Sequence, residues 1–171
     1  MNQQQLAASL EALKHMEELE LTMAELYQSC AQLWPEHEEF WMDIQQAEVK
    51  HAHNINRMRK IISERPENFG TGRSFQPVVI KTFIAGIKSN IQNLKKKEMN
   101  EVRALFLARS IEQAYLASKY TEIAKTEDKE FQSLMREIYS ETVFHREHLN
   151  KRIREFTSDR VPGDLVSQPL R

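Results

Sequence analysis

Apolar residues recur every three or four positions through most of the chain, a period that indicates amphipathic α-helices. The first such stretch runs from about Gln4 to Gln32. It ends at Trp34-Pro35, because proline disfavours helical geometry in the residue before it. The second begins just after Pro35 and continues to about Ser63. The pattern therefore predicts a helical hairpin at the start of the chain.

A loop is predicted over 64–76, and a short apolar helix follows Pro77. The pattern alone leaves open whether this helix is a crossover element or the first half of a longer helix, and we favour the crossover. Two further helices are predicted over 101–124 and 129–156, with a turn at 125–128 between them. Two hairpins joined by a long connection predict an all-α fold, a four-helix bundle with one crossover connection.

The end of the sequence differs from the rest. Residues 158–171 contain two prolines, one glycine and few apolar positions, which predicts an irregular tail after a bundle domain over 1–157. In the whole chain only four glycines and five prolines occur, a scarcity that favours long helices over many strands and turns.

Composition and charge limit the cellular compartment and the classes of partner expected for this chain. The formal charge of −1 gives little attraction to nucleic acid or to an anionic membrane, and no apolar run is long enough to cross a bilayer. A single cysteine, Cys30, excludes an internal disulfide and any zinc site made of cysteines only. We therefore expect a cytoplasmic protein with neither nucleic acid nor a membrane as its partner.

Each of the four predicted bundle helices carries a glutamate near the middle of its apolar face: Glu20, Glu48, Glu112 and Glu141. One such glutamate commonly lies at the edge of the face and extends into water. Four together need another explanation, because buried carboxylates are costly and repel one another. Lysine and arginine are absent from the middles of these faces. The candidates that offset the charge are therefore a metal or protons.

The glutamates also match in depth. Glu20 and Glu48 lie about fifteen and thirteen residues from Pro35, and Glu112 and Glu141 lie about fourteen and fifteen residues from Thr126. At about 1.5 Å per residue, both pairs lie roughly 20–22 Å from their turns. The four carboxylates are therefore expected at one level of the core.

Histidines accompany these glutamates. Glu48 and His51 form a Glu-x-x-His pair on one helix face, and His145 follows Glu141 by four residues, with His148 three further on. Histidines on an apolar face are either hydrogen-bonded core residues or ligands, and neighbouring carboxylates favour ligands. Oxygen and imidazole ligands together suit iron or manganese.

These motifs resemble the ferritin-like di-iron carboxylate superfamily, and its rubrerythrin branch in particular. Glu20 followed by Tyr27 is similar to the first-helix pattern of bacterioferritins and rubrerythrins, and Ala-Glu-Val-Lys-His-Ala over 47–52 is similar to their second-helix motif. The stretch 108–153, with Glu112, Tyr115, Tyr120 and a histidine-bearing last helix, looks most like rubrerythrins. The resemblance covers roughly 13–153.

The resemblance implies a metal site, with two iron ions most expected and manganese or zinc as alternatives. Its ligands would be Glu20, Glu48, His51, Glu112, Glu141 and His145, with Glu48 and Glu141 bridging the two ions. It also implies a non-haem di-iron oxidoreductase or peroxidase. The sequence contains no rubredoxin-like segment, so a redox cycle would need an external electron donor. A homodimer is a further expectation. Tyr27 and Tyr115 are either hydrogen-bond donors to the ligands or packing groups.

One position departs from the family pattern. The pattern requires a histidine three residues after Glu141, where this chain has Phe144. Either His145, brought inward by a small rotation or a π-bulge, or His148 would then be the ligand. The departure keeps two alternatives open: metal handling without turnover, and a bundle with a degenerate site that serves protein interaction.

Overall fold

In the computed structural model, which describes residues 2–73 and 75–158, five α-helices make up most of the chain. They are Gln3–Leu33 (α1), Glu38–Glu64 (α2), Pro77–Lys95 (α3), Glu101–Ala117 (α4) and Lys129–Ser158 (α5). Single 3₁₀ turns cover Pro35–His37, Pro66–Asn68 and Tyr120–Glu122, and the two short strands are Phe69–Thr71 (β1) and Ala124–Thr126 (β2). The prediction of an all-α protein is confirmed. The predicted irregular tail lies outside the described residues, apart from Ser158, which ends α5.

The first hairpin follows directly from local sequence signals. Asn2 caps α1 by accepting a hydrogen bond from the Gln5 backbone N–H, while the Gln5 side chain accepts one from the Asn2 N–H. The helix ends at Leu33, before the predicted breaker Trp34-Pro35. No helix in the described part of the chain is long and apolar enough to cross a membrane.

Ion pairs between the helices fix their relative directions. Lys88 lies 3.0 Å from Glu18 and Lys95 lies 3.1 Å from Glu25, so α3 runs parallel to α1. The helix ends at Lys95, and the chain turns through Lys97, whose φ of 59° is left-handed. The short apolar helix is therefore a separate element packed on α1, which excludes the alternative that it begins a longer helix.

The other contacts run antiparallel. Lys50 lies 2.9 Å from Glu141, and Arg57 lies 2.7 Å from Glu130, so α2 and α5 run in opposite directions. Tyr27 contacts Glu112 near the middle of the same core, which brings α1 next to α4. The apolar faces of α1, α2, α4 and α5 therefore share one buried layer.

The predicted end of the third bundle helix is wrong. α4 stops at Ala117, not at residue 124, because Lys119 takes a left-handed φ of 57° and a 3₁₀ turn follows. Residues 124–126, partly assigned to a turn, instead form β2 and pair with β1, which lies inside the predicted loop over 64–76. Ile123 is nevertheless buried, which is why the helical period extends beyond the helix.

The helical period of the sequence predicts six buried positions on the last helix, of which half are correct: Phe131, Leu134, Ile138, Glu141, His145 and His148. Phe131, Ile138 and His145 are buried as predicted. The other buried positions include Met135, Thr142 and Leu149 in place of the predicted Leu134, Glu141 and His148. The two sets differ only in whether a step of three or a step of four comes first after Phe131, and both are compatible with a helical period.

Gly72 permits the close approach between β1 and the segment before β2. A Cβ atom at Gly72 would lie 2.3 Å from the Glu122 backbone oxygen, whereas one at Gly86, on α3, would meet nothing within 4 Å. We predict that Gly72→Ala lowers the free energy of unfolding by about 1–3 kcal/mol. Gly86→Ala, the matched control, should raise it by about 0.5–1 kcal/mol. Urea titrations would measure both, and equal effects would contradict the close approach.

Candidate metal centre

Five of the six predicted ligands meet in the buried layer between the helices. They come from four helices: Glu20 from α1, Glu48 and His51 from α2, Glu112 from α4, and His145 from α5. All five are buried, and Glu20, His51 and Glu112 are completely inaccessible to solvent. Of the four glutamates that the sequence predicted at one level of the core, three meet in the centre, and the fourth, Glu141, hydrogen-bonds to His51 beside it.

The five residues form two groups that share Glu48. In one group the ligand atoms of Glu20, Glu48 and His51 lie within 4.8 Å of one another, and in the other those of Glu48, Glu112 and His145 do. Each oxygen of Glu48 faces a different imidazole: Oε2 lies 3.1 Å from His51 Nδ1, and Oε1 lies 2.9 Å from His145 Nδ1. Glu48 therefore stands between two adjacent sets of ligand atoms.

Two tyrosines hold the outer glutamates in a reciprocal arrangement. Tyr27 on α1 donates its hydroxyl hydrogen bond to Glu112 Oε1 on α4, at 2.7 Å. Tyr115 on α4 donates to Glu20 Oε1 on α1. Of the two interpretations of these tyrosines, the structure therefore supports hydrogen-bond donors to the glutamates. Each bond leaves the second oxygen of its glutamate, Oε2, buried and without a hydrogen-bond partner.

The centre contains polar atoms without hydrogen-bond partners. Within the described chain these are Glu20 Oε2, Glu48 Oε1, Glu112 Oε2 and His145 Nδ1. His145 Nδ1 is close to Glu48 Oε1 but lacks the angle that a hydrogen bond requires. An unpaired buried polar atom is costly, and four of them in one place are the donor set that a cation would satisfy. The residues present therefore fit a metal.

Burial and mutual repulsion control the charge of the outer glutamates. Complete burial, with Glu48 as a negative neighbour, raises the pKa of Glu20 well above its usual range. The pKa of Glu112 is raised for the same two reasons. The hydrogen bonds from Tyr115 and Tyr27 oppose these shifts without cancelling them. Without a metal, burial and repulsion therefore favour the protonated form of both outer glutamates.

For Glu48 and His51, by contrast, the neighbouring groups favour the charged form. Burial disfavours the Glu48 carboxylate, but the adjacent His145 and His51 outweigh it and lower the pKa of Glu48 below its usual value. Burial likewise disfavours the His51 imidazolium, but hydrogen bonds and attraction from Glu48 and Glu141 raise its pKa. The central carboxylate therefore favours its ionised form, and the ring of His51 beside it favours its protonated form.

Glu141, the sixth predicted ligand, lies outside both groups. Its side chain is 32% exposed and its Oε2 accepts a hydrogen bond from His51 Nε2 at 2.9 Å. Lys50 donates to the other oxygen at 2.9 Å. Because His51 directs Nδ1 at Glu48, Glu141 fixes the ring from behind, as carboxylates commonly do for metal-binding histidines.

Thr142 occupies the inward position next to Glu141. It is 1% exposed and stands three residues before His145, which repeats the spacing of Glu48 and His51 on α2. Phe144, the residue at the family's histidine position, is 64% exposed. His148 packs against the ring of Phe40 with centroids 5.0 Å apart, so of the two candidate histidines it is His145 that reaches the centre. Sequence reasoning missed Thr142, although its spacing to His145 was visible.

A third set of possible ligands lies near the start of α2. Glu36, His37 and Glu101 approach one another, and His37 Nδ1 is 2.8 Å from Glu101 Oε1. Trp41 Nε1 also donates to this oxygen at 3.2 Å. Both Glu101 oxygens thus have protein partners, whereas each carboxylate of the buried centre has one unpaired oxygen. This cluster is therefore a hydrogen-bonded contact between the start of α2 and α4.

Comparison with protein-family models, with curated proteins and with solved structures found no match to this chain.

The raised pKa values of the outer glutamates predict a pH-dependent stability of the metal-free protein. A group with a raised folded-state pKa contributes stability below its unfolded pKa, near 4.5, and loses it as the pH rises towards the folded value. The stability should therefore fall as the pH rises above about 4.5, and Glu112→Gln should reduce that fall. Urea unfolding across this range measures both, with exposed Glu98→Gln as the control. Parallel pH profiles for the three proteins would contradict a buried, protonated Glu112.

Proposed function

We propose that this chain is a ferritin-like four-helix bundle, with α3 in the crossover connection, and that its core binds two metal ions. Glu48 would bridge the ions, Glu20 and Glu112 would be outer ligands, and His51 and His145 would each bind one ion. Such a site is typical of bundles in which two helices give one glutamate each and two give pairs spaced by three residues. Oxygen and imidazole ligands favour iron, with manganese or zinc as alternatives.

The observation that carries this proposal is the shared position of Glu48 between two sets of unpaired ligand atoms. A single ion would use one set and leave unpaired oxygens in the other. Two divalent ions would offset three carboxylates, and they would displace the protons that Glu20 and Glu112 hold in their absence. A purely structural core gives no reason to bury these groups together.

With iron, the function that we propose is that of a non-haem oxidoreductase or peroxidase of rubrerythrin type. Two ferrous ions supply two electrons, as reductive cleavage of an oxygen–oxygen bond requires. The chain itself contributes a buried site, ligands from four helices and two tyrosine hydroxyls that orient the outer glutamates. An external electron donor would complete the cycle, and we place the protein in the cytoplasm as part of this proposal.

Thr142 favours a second candidate, metal binding without turnover. The position that would complete a second Glu-x-x-His pair carries a neutral hydroxyl, which donates to the Ile138 carbonyl oxygen at 2.8 Å. The nearby carboxylate of Glu141 contacts His51 instead of entering the centre. With three core carboxylates, two divalent ions leave one positive charge in excess, and this weakens the second ion's binding.

The metal content of purified protein tests the proposal. We expect two irons per chain after reconstitution with ferrous iron under anaerobic conditions. Glu48→Gln should lose both irons, because it belongs to both groups, whereas Glu20→Gln should keep one. Glu25→Gln, on the exposed side of α1, is the control and should keep two. Equal iron in Glu48→Gln and the unmodified protein, measured by elemental analysis, would remove the case for a bridging glutamate.

The variant Glu141→Gln tests whether Glu141 is itself a metal ligand or only orients His51. If Glu141 only holds His51, the variant should keep the full metal content but bind the metal about 10–100-fold more weakly. Titration with a competing chelator would measure this affinity. Glu137→Gln, which also removes a partner of Lys50, is the control and should bind normally. Loss of one metal per chain in Glu141→Gln would make it a direct ligand.

Reaction with oxidants distinguishes the two candidate functions. Diferrous protein mixed with one equivalent of hydrogen peroxide should be oxidised within seconds, and a reductant should restore it for repeated turnover. Stopped-flow absorbance would follow the oxidation. Iron that binds tightly but does not turn over would support metal handling and exclude the peroxidase.

A further inference from the structure

A cavity of about 420 Å³ opens between α3 and the helices that carry the candidate centre. Its wall is largely apolar and includes Met16, Leu19, Phe75, Val79, Ile80 and Phe83. Cavities of this size hold small organic ligands, whereas peroxide or dioxygen needs far less room. The proposed peroxidase chemistry therefore gives this cavity no role.

The cavity reaches the residues that surround the centre. Tyr115 forms part of its wall, and the hydroxyl of the same tyrosine donates to Glu20. Tyr120 also lines it, and the rings of Tyr115 and Tyr120 lie 4.3 Å apart between centroids. A molecule in the cavity would therefore contact the tyrosine that holds a proposed metal ligand.

One charged side chain lines the cavity, that of Arg73. It is exposed, its guanidinium lies 5.9 Å from the Phe75 ring centroid, and it has no ion pair with any residue that the structure describes. The main chain is fixed at this position, because the Arg73 N–H donates to the Glu122 carbonyl oxygen at 2.6 Å. No acidic side chain among the described residues lines the cavity, so its charge favours an anion.

We propose that this cavity binds an apolar monocarboxylate, whose hydrocarbon body lies against the apolar wall and whose carboxylate pairs with Arg73. We further propose that occupancy of the cavity alters the candidate centre through Tyr115, which lines the cavity and donates its hydroxyl hydrogen bond to Glu20. The second statement rests on the proposed function, whereas the first concerns the cavity alone.

Decanoate is a suitable probe, with decanol as its uncharged counterpart. Calorimetry on the full chain should detect decanoate binding with and without bound metal. Ala114→Phe places a ring in the cavity wall at a solvent-accessible position and should lower the affinity for decanoate at least tenfold. Arg73→Gln should lower it about tenfold through loss of the charge-assisted hydrogen bond, and should leave decanol binding within twofold.

Arg103→Gln is the matched control, because Arg103 is exposed on α4 and does not line the cavity. It should bind decanoate normally. Absence of decanoate binding to the unmodified protein would overturn the inference, as would unchanged affinity in Ala114→Phe. Equal losses of decanoate and decanol affinity in Arg73→Gln would overturn the role of Arg73 as the carboxylate partner.

Cobalt(II) separates this inference from the proposed function. Its visible absorbance should appear on binding to the centre and shift when decanoate fills the cavity. Decanoate binding without any cobalt spectrum would support the cavity assignment while the metal centre fails. A bound cobalt spectrum that decanoate binding leaves unchanged would overturn the coupling through Tyr115.

Discussion

Three carboxylates from α1, α2 and α4 share a space that water does not reach, and the rest of the structure depends on how that charge is offset. Like charges at this distance in a buried site repel one another strongly. Without a metal, the three carboxylates differ in charge. Glu48 is ionised between two imidazoles, while burial and repulsion favour the protonated forms of Glu20 and Glu112. The charge of Glu48 is therefore fixed, whereas the charges of Glu20 and Glu112 depend on what else binds in the centre.

The sequence predicted the first hairpin well because its signals are local. Asn2 starts α1, Pro35 separates α1 from α2, and the apolar period is unbroken on both sides. The predicted end of α4 is wrong because the residues that cause the helix to end lie far apart in the sequence. Residues 124–126 leave the helical path to pair with Phe69–Thr71, and the burial of Ile123 preserves a helical period through the turn. A pairing between segments some fifty residues apart leaves no trace in a local period.

The centre was predictable to a similar extent and for a related reason. Counting residues from each turn brought together five residues, because depth along a straight helix depends only on the rise per residue. Rotation about the helix axis is harder to predict, since neighbouring positions on α5 both border the apolar face. Glu141 carries the chemically conspicuous side chain, while Thr142 occupies the inward position. A threonine has no property in the sequence that marks it as the neighbour of a metal site.

The reciprocal tyrosine bonds have a consequence for the way in which a metal would bind. Each tyrosine occupies Oε1 of an outer glutamate and leaves Oε2 free, so a cation can enter without breaking either bond. Each outer glutamate would thus offer a metal one oxygen while a tyrosine holds the other. Glutamates that bound a metal through one oxygen each would leave room around that ion for an exogenous molecule.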